Sequence, residues 1–185
     1  MTSTSTPRRA LRRAAVPLAA IAVAVGVAAA TATPAAANNS YNGRAYIYGA
    51  GDPSDDLNDE GVVNESTNRL SNVTCLWQSI LYVGGYLPAS GIDGSFGPNT
   101  YKATRAWQTD NGLASDGSAG KATFKKAGTK FFWNYTEADG GVWIGEYVKG
   151  NKVLMVWRDI DKGNWTIGSP TTNAIWSSSY NSRTC

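Results

Sequence analysis

The 185-residue chain contains no histidine, only two cysteines and two methionines, and charged side chains make up only 17% of it. The missing histidine excludes His-ligated zinc hydrolysis together with Ser-His-Asp and Cys-His catalysis. Two cysteines are too few for a four-thiolate metal site. The apolar run from Val16 to Ala30 covers about 15 residues, short of the roughly 20 needed to span a bilayer. Carboxylate chemistry is what remains for catalysis, such as a glycosidase pair with carboxyls about 5 to 9.5 Å apart. Glu137, Asp139, Glu146, Asp159 and Asp161 are the acids available after Lys130, and they form no recognisable catalytic pattern. No catalytic residue, metal or cofactor is therefore expected.

Residues 1–37 carry Arg8, Arg9, Arg12 and Arg13 and no acid, then the apolar run, then Ala35-Ala36-Ala37. That order reads as a secretory signal peptide cleaved after Ala37. Cleavage removes four of the 17 basic residues and leaves 13 against 14 acids, a net charge of −1 in place of +3. The basic character belongs to the leader, so no Lys/Arg stripe remains to neutralise phosphates and no nucleic-acid partner is expected. A secreted monomer, extracellular or attached to the cell wall and free of the membrane after cleavage, is the expected product. In that oxidising setting Cys75 and Cys185 read as one disulfide tying the last residue to the first helix.

One pattern occurs twice: Asp93-Gly94-Ser95-Phe96-Gly97-Pro98-Asn99-Thr100, and then Asp116-Gly117-Ser118-Ala119-Gly120-Lys121-Ala122-Thr123. Each copy reads as a turn launching a helix, because Asp can bond the backbone two residues on, Gly can take positive φ, and Pro98 suits a first helical position. Three helices follow from periodicity and stop signals: Val73 to Gly84, Pro98 to about Asn111, and Lys121 to Ala127. Trp107 falls on the apolar face of the second helix and reads as core.

These residues resemble the three-helix peptidoglycan-binding domain of bacterial cell-wall hydrolases, over residues 73–128. Gln78, Leu81 and Gly85-Tyr86 match its first-helix pattern. Asp93-Gly94, Phe96-Gly97 and Thr100 match its central turn. Ala103, Trp107-Gln108, Gly112-Leu113, Asp116-Gly117, Gly120 and Thr123-Phe124 continue the match. Trp77 stands where that family favours Leu, Thr104 where it favours Val, Trp107 where it usually has Phe, and Ala127 where it favours Leu. The resemblance implies a shallow groove between the helices and the Asp93 turn that takes peptidoglycan, by its stem peptide or its glycan. It places Gln78, Tyr86, Asp93, Phe96, Gly97, Thr100 and Gln108 near that groove.

From Lys130 the pattern changes to short Trp-, Tyr-, Val- and Ile-rich runs. Lys130 to Tyr135, Val142 to Lys149, Lys152 to Asp159, Trp165 to Ile167 and Asn173 to Trp176 read as an antiparallel sheet. Gly150-Asn151 suits a two-residue hairpin turn, but it would set Lys149 opposite Lys152, which leaves a longer loop open. Arg44 to Tyr48 reads as a further strand. The acid-rich stretch Asp52 to Glu65 reads as a solvated loop, with a calcium site as the sharper alternative. Most of Trp133, Trp143, Trp157, Trp165 and Trp176 are expected in the core, and an exposed row of them would suit sugars.

The expected architecture is α+β, a three-helix bundle packed with a C-terminal antiparallel sheet. The segments are a leader over 1–37, a strand and acidic loop over 38–70, the helical domain over 71–128 and the β segment over 129–185. The expected function is a secreted, noncatalytic peptidoglycan-binding protein. The alternatives are a small carboxylate-dependent wall glycosidase and a secreted interaction or inhibitor protein that uses the helices as a scaffold.

Overall fold

A computed structural model describes Met1 and residues 43–137 and 141–185. Apart from Met1, the leader read over 1–37 lies outside the described residues, as does Asp139. Residues 43–185 fall within one structural unit, Thr33–Cys185.

Three helices and five strands make up the frame: α1 Asn72–Gly84, α2 Pro98–Asp110, α3 Lys121–Gly128, β1 Phe132–Thr136, β2 Val142–Lys149, β3 Lys152–Asp159, β4 Trp165–Gly168 and β5 Ile175–Ser177. The strands form one antiparallel meander in chain order. The α+β class expected from the sequence is the class observed.

Helix α1 is the centre of the molecule. The Ser71 side chain caps its start by accepting from the Thr74 amide, and Gly85, at φ 85°, ends it in the left-handed conformation that glycine takes without a Cβ clash. All of its residues except Tyr82 are buried, as expected of a helix covered on every side. It packs on α2 and on strands β2 and β3. Trp77 reaches Trp107 and Phe124 edge-on at 5.2 and 5.7 Å between centroids, so one indole holds all three helices together. Cys75 is joined to Cys185, which pins the chain end to the first turn of α1. Asn72 reinforces that anchor: it accepts from the Thr184 amide at 2.8 Å and donates to the Ser177 carbonyl at 2.8 Å.

The β2–β3 hairpin does turn through Gly150-Asn151 alone, with Lys149 opposite Lys152. The like charges are tolerated because both ammonium groups turn to the C-terminus of α1. Lys149 Nζ donates to the Gly84 carbonyl at 2.7 Å and Lys152 Nζ to the Tyr82 carbonyl at 3.0 Å. The Gly84 carbonyl is left open by the helix end, the Tyr82 carbonyl also accepts from the Gly85 amide, and both cations offset the negative end of the helix dipole.

Three sequence readings are corrected. The stretch Asp52 to Glu65 is not a simple solvated loop: Pro53–Asp59 is a 3₁₀ helix, and Asp56 and Glu60 are buried. Asp56 pairs with Arg158 at 3.1 Å and accepts from Trp165 Nε1 at 2.7 Å, while Glu60 accepts from the Tyr180 hydroxyl at 2.5 Å. Asp56 thus joins the N-terminal segment to strands β3 and β4, and Glu60 joins it to the tail that follows β5. Of the five C-terminal tryptophans only Trp165 and Trp176 are buried, and Trp133, Trp143 and Trp157 are half-buried. The run Arg44 to Tyr48 makes isolated antiparallel bridges, Tyr46 to Ser179 and Tyr48 to Asn164, rather than a full strand.

Candidate ligand-binding cleft

The two repeated turns are built by the same bonds. Gln78 on α1 donates through Nε2 to Asp93 Oδ1, the Ser95 carbonyl and Thr100 Oγ1, at 2.9, 3.1 and 3.1 Å. Gln108 on α2 donates to Asp116 Oδ1, the Ser118 carbonyl and Thr123 Oγ1, at 2.8, 2.9 and 3.0 Å. Each glutamine also accepts a glycine amide, Gly94 at 2.8 Å and Gly117 at 2.9 Å. The aspartates close their turns by accepting from Ser95 and Ser118 amides. Gly94 and Gly117 hold φ of 66° and 77°, so the turns require glycine there. A primary amide offers two N–H donors, shared here among three acceptors, together with a carbonyl acceptor, a combination that a carboxylate or an aliphatic chain lacks.

Against the first turn lies a cleft of about 710 Å³. Its walls are Tyr86 to Gly91, the turn at Asp93, Ser95 and Gly97, and the exposed side of α2. The N-cap of α2 is Gly97, which supplies no side-chain acceptor, and Pro98 follows it. The start of α2 therefore faces the cleft with its positive dipole end uncapped by a side chain. Leu87, Pro88, Ala103 and Ala106 give the cleft apolar surface; Ser90, Asp93, Asn99 and Lys102 give it hydrogen-bonding groups of both kinds. At one end the Tyr86 hydroxyl donates to Asp110 Oδ2 at 2.8 Å. Burial first, and then the Asp110 carboxylate, push the Tyr86 phenol up to about 12, so it is a neutral donor at any physiological pH.

The structure thus brings Tyr86, Asp93, Gly97 and Thr100 together on the cleft wall. Gln78, Phe96 and Gln108 do not line it: they are buried beneath the turns, Gln78 with no exposed surface. Their geometric role is to fix the turns. Leu87, Pro88, Ser90 and Lys102 join the cleft although no sequence motif singles them out, and Asn99 joins it from within the repeated turn pattern without being named there as a site residue. Pro88 soon after the helix-ending Gly85, and Asn99 and Lys102 one turn apart on α2, are the only cues to them.

Among the described residues no group of three or more Asp, Glu or Cys side chains gathers in a way that could hold a metal ion, and no helix is long and apolar enough to cross a membrane. No curated protein and no solved structure matches the chain. Residues 74–126, which run from the first turn of α1 into α3 and include the cleft, match the family described as "Putative peptidoglycan binding domain", the family that the motifs of this segment resemble.

Proposed function

We propose that the chain is an exported, noncatalytic protein that binds peptidoglycan in the cleft between Tyr86 and the Asp93 turn. The observation that carries this reading is the coincidence of the cleft with the matched segment: Tyr86, Asp93, Gly97 and Thr100 are family-pattern residues and all line it. Its mixed lining suits a ligand made of amides, hydroxyls and short apolar groups, which describes both the stem peptide and the glycan of the wall. Because Gln78 already locks the turn, little ordering cost attends binding. An open, shallow cleft gives modest affinity, consistent with reversible attachment to a repetitive polymer. The leader over 1–37 and the absence of histidine support export and binding without hydrolysis.

Co-sedimentation of the mature protein with purified sacculi tests the reading. Lys102→Glu and Asn99→Ala change exposed cleft residues and leave the core untouched, and both should reduce the bound fraction severalfold. Wild-type protein that stays in the supernatant would overturn wall binding, and variants that bind like wild type would overturn the cleft. Release of dye from labelled wall above a protein-free control would overturn the noncatalytic assignment. Mature protein in the culture medium beginning at Asn38 would establish export and the cleavage point.

A further inference from the structure

The sheet turns its other face away from the helices, and there a second concavity of about 300 Å³ sits between β3, β4, β5 and the loop that joins the last two. Its floor is Val153, Met155 and Trp157 of β3, and its rim is Ser169, Pro170, Thr172 and Asn173. The register explains how the floor is made. Side chains alternate across β3, so Leu154, Val156 and Arg158 are buried while Val153, Met155 and Trp157 face outward. Gly168 on β4 leaves space for the indole: a Cβ there would stand 2.9 Å from the six-membered ring of Trp157. The ring is therefore seated on bare backbone, with a half-buried aromatic surface turned to the cavity.

The rim is held in shape by its own bonds. The Ser169 amide donates to the Ala174 carbonyl at 2.9 Å, and Ser169 Oγ accepts from the Thr172 amide at 3.1 Å. Asn173, at the exposed tip, makes no hydrogen bond to the described residues, which leaves its carboxamide available. None of the residues lining the cavity carries a charge. An ion or a phosphorylated group finds no counter-charge there, whereas a neutral polyol finds a flat aromatic face for its C–H groups and hydroxyl and amide partners at the edge.

We propose that this concavity is a second binding site, which takes an uncharged N-acetylated sugar unit stacked on Trp157, with its acetamido methyl against Val153 and Met155 and its polar groups on Thr172 and Asn173. The assignment of the sugar to wall glycan rests on the function proposed above; the site itself does not. With the Asp93 cleft, it would give the protein two contacts on one polymer, and linked contacts bind more tightly than either alone.

Soluble tetra-N-acetylchitotetraose serves as the probe, and amide and indole NMR shifts of the mature protein as the readout. The expected result is a saturable shift at the Trp157 indole and at Asn173. Trp157→Ala should weaken the interaction roughly tenfold and Asn173→Ala, on an exposed loop, severalfold, while Lys125→Glu, at an exposed α3 residue outside both cavities, binds the probe like wild type. The Asn173 variant keeps the test valid if loss of Trp157 unfolds the sheet. No shift at Trp157, or equal weakening by Lys125→Glu, would overturn the proposal. Shifts at Trp157 that appear only on concentrating the protein would assign the face to a second copy, and shifts produced by a proline-rich peptide but not by the sugar would assign it to a peptide; either outcome overturns it. Failure of the sugar site leaves the sacculus assay with cleft variants unaffected, so the two readings can fail separately.

Discussion

The indole N–H of Trp77 donates to the Thr104 hydroxyl at 2.8 Å, across the interface of α1 and α2, with both side chains fully buried. These are two positions at which the sequence departs from the family pattern it resembles, Trp for Leu and Thr for Val. Each departure supplies what the other needs: a buried indole requires an acceptor, and a buried hydroxyl requires its own partners. Thr104 Oγ1 in turn donates to the Thr100 carbonyl at 2.7 Å, one helical turn back.

The pair should behave as a unit. Thr104→Val keeps the shape but strands the indole proton, at a cost of about 1–3 kcal/mol. Trp77→Leu removes most of a side chain that touches Trp107 and Phe124 and should cost about 3–5 kcal/mol. The double variant restores the Leu–Val combination and should lose less than the sum of the single losses. Urea unfolding of the four proteins measures the coupling, and strict additivity would refute it.

The two buried glutamines allow shape and binding to be separated. Gln78→Ala and Gln108→Ala each strand a buried glycine amide, Gly94 or Gly117, and should each cost about 2–4 kcal/mol. Only the Gln78 turn borders the cleft. Below their melting temperatures the Gln78 variant should therefore bind sacculi worse than wild type, and the Gln108 variant should bind normally. Equal binding by the two variants would remove the link between the Gln78 turn and the ligand.

The repeated Asp-Gly turns made the helical part legible because local rules govern it. Pro98, Gly85 and Gly112 mark helix ends by their own backbone preferences, and the bounds of α1, α2 and α3 follow within a residue or two. Runs rich in Trp, Tyr, Val and Ile likewise mark β2 and β3. What could not be read depends on partners far away in the chain. Asp56 and Glu60 look like solvated acids until Arg158 and Tyr180 arrive from 102 and 120 residues downstream. The Lys149–Lys152 pair looks repulsive until the end of α1 is placed beneath it. In the cleft, Tyr86, Asp93, Gly97 and Thr100 sit in turn and helix-end motifs and are named by the family resemblance those motifs carry, whereas Leu87, Ser90 and Lys102 line it only because of where the loop after α1 passes.

Loss of the disulfide should be costly. Cys75 and Cys185 close a loop with a sequence separation of 110, for which the chain-entropy model gives about 4–5 kcal/mol. Cys185→Ser, or reduction, should lower the melting temperature clearly while leaving the far-UV spectrum at 20 °C near native, since Asn72 still holds the tail through Thr184 and Ser177. A melting curve unchanged by reductant, with both thiols shown to be free, would refute the contribution.

Stability should also fall as pH rises, against the usual trend for acids in ion pairs. Burial pushes the Glu60 carboxyl up from its ordinary value of 4.5 to about 8, in spite of the Tyr180 hydroxyl that bonds it. The folded state then keeps a proton that the unfolded chain has already released, so the folded form binds more protons between about 4.5 and 8. Stability from this group is complete below 4.5 and is lost progressively as pH rises through about 8. Asp56 acts in the same direction over a lower window, because burial raises it from 3.8 to about 6 despite Trp165 and Arg158. At neutral pH it is ionised and its pair with Arg158 is intact. Glu60→Gln replaces the titrating oxygen with a neutral amide of the same shape and should flatten the upper part of the profile, by a few kcal/mol between pH 5 and 8.5. Denaturant titrations of both proteins across that range provide the comparison, and a wild-type curve that rises or runs parallel to that of the variant would show that Glu60 is ionised in the fold.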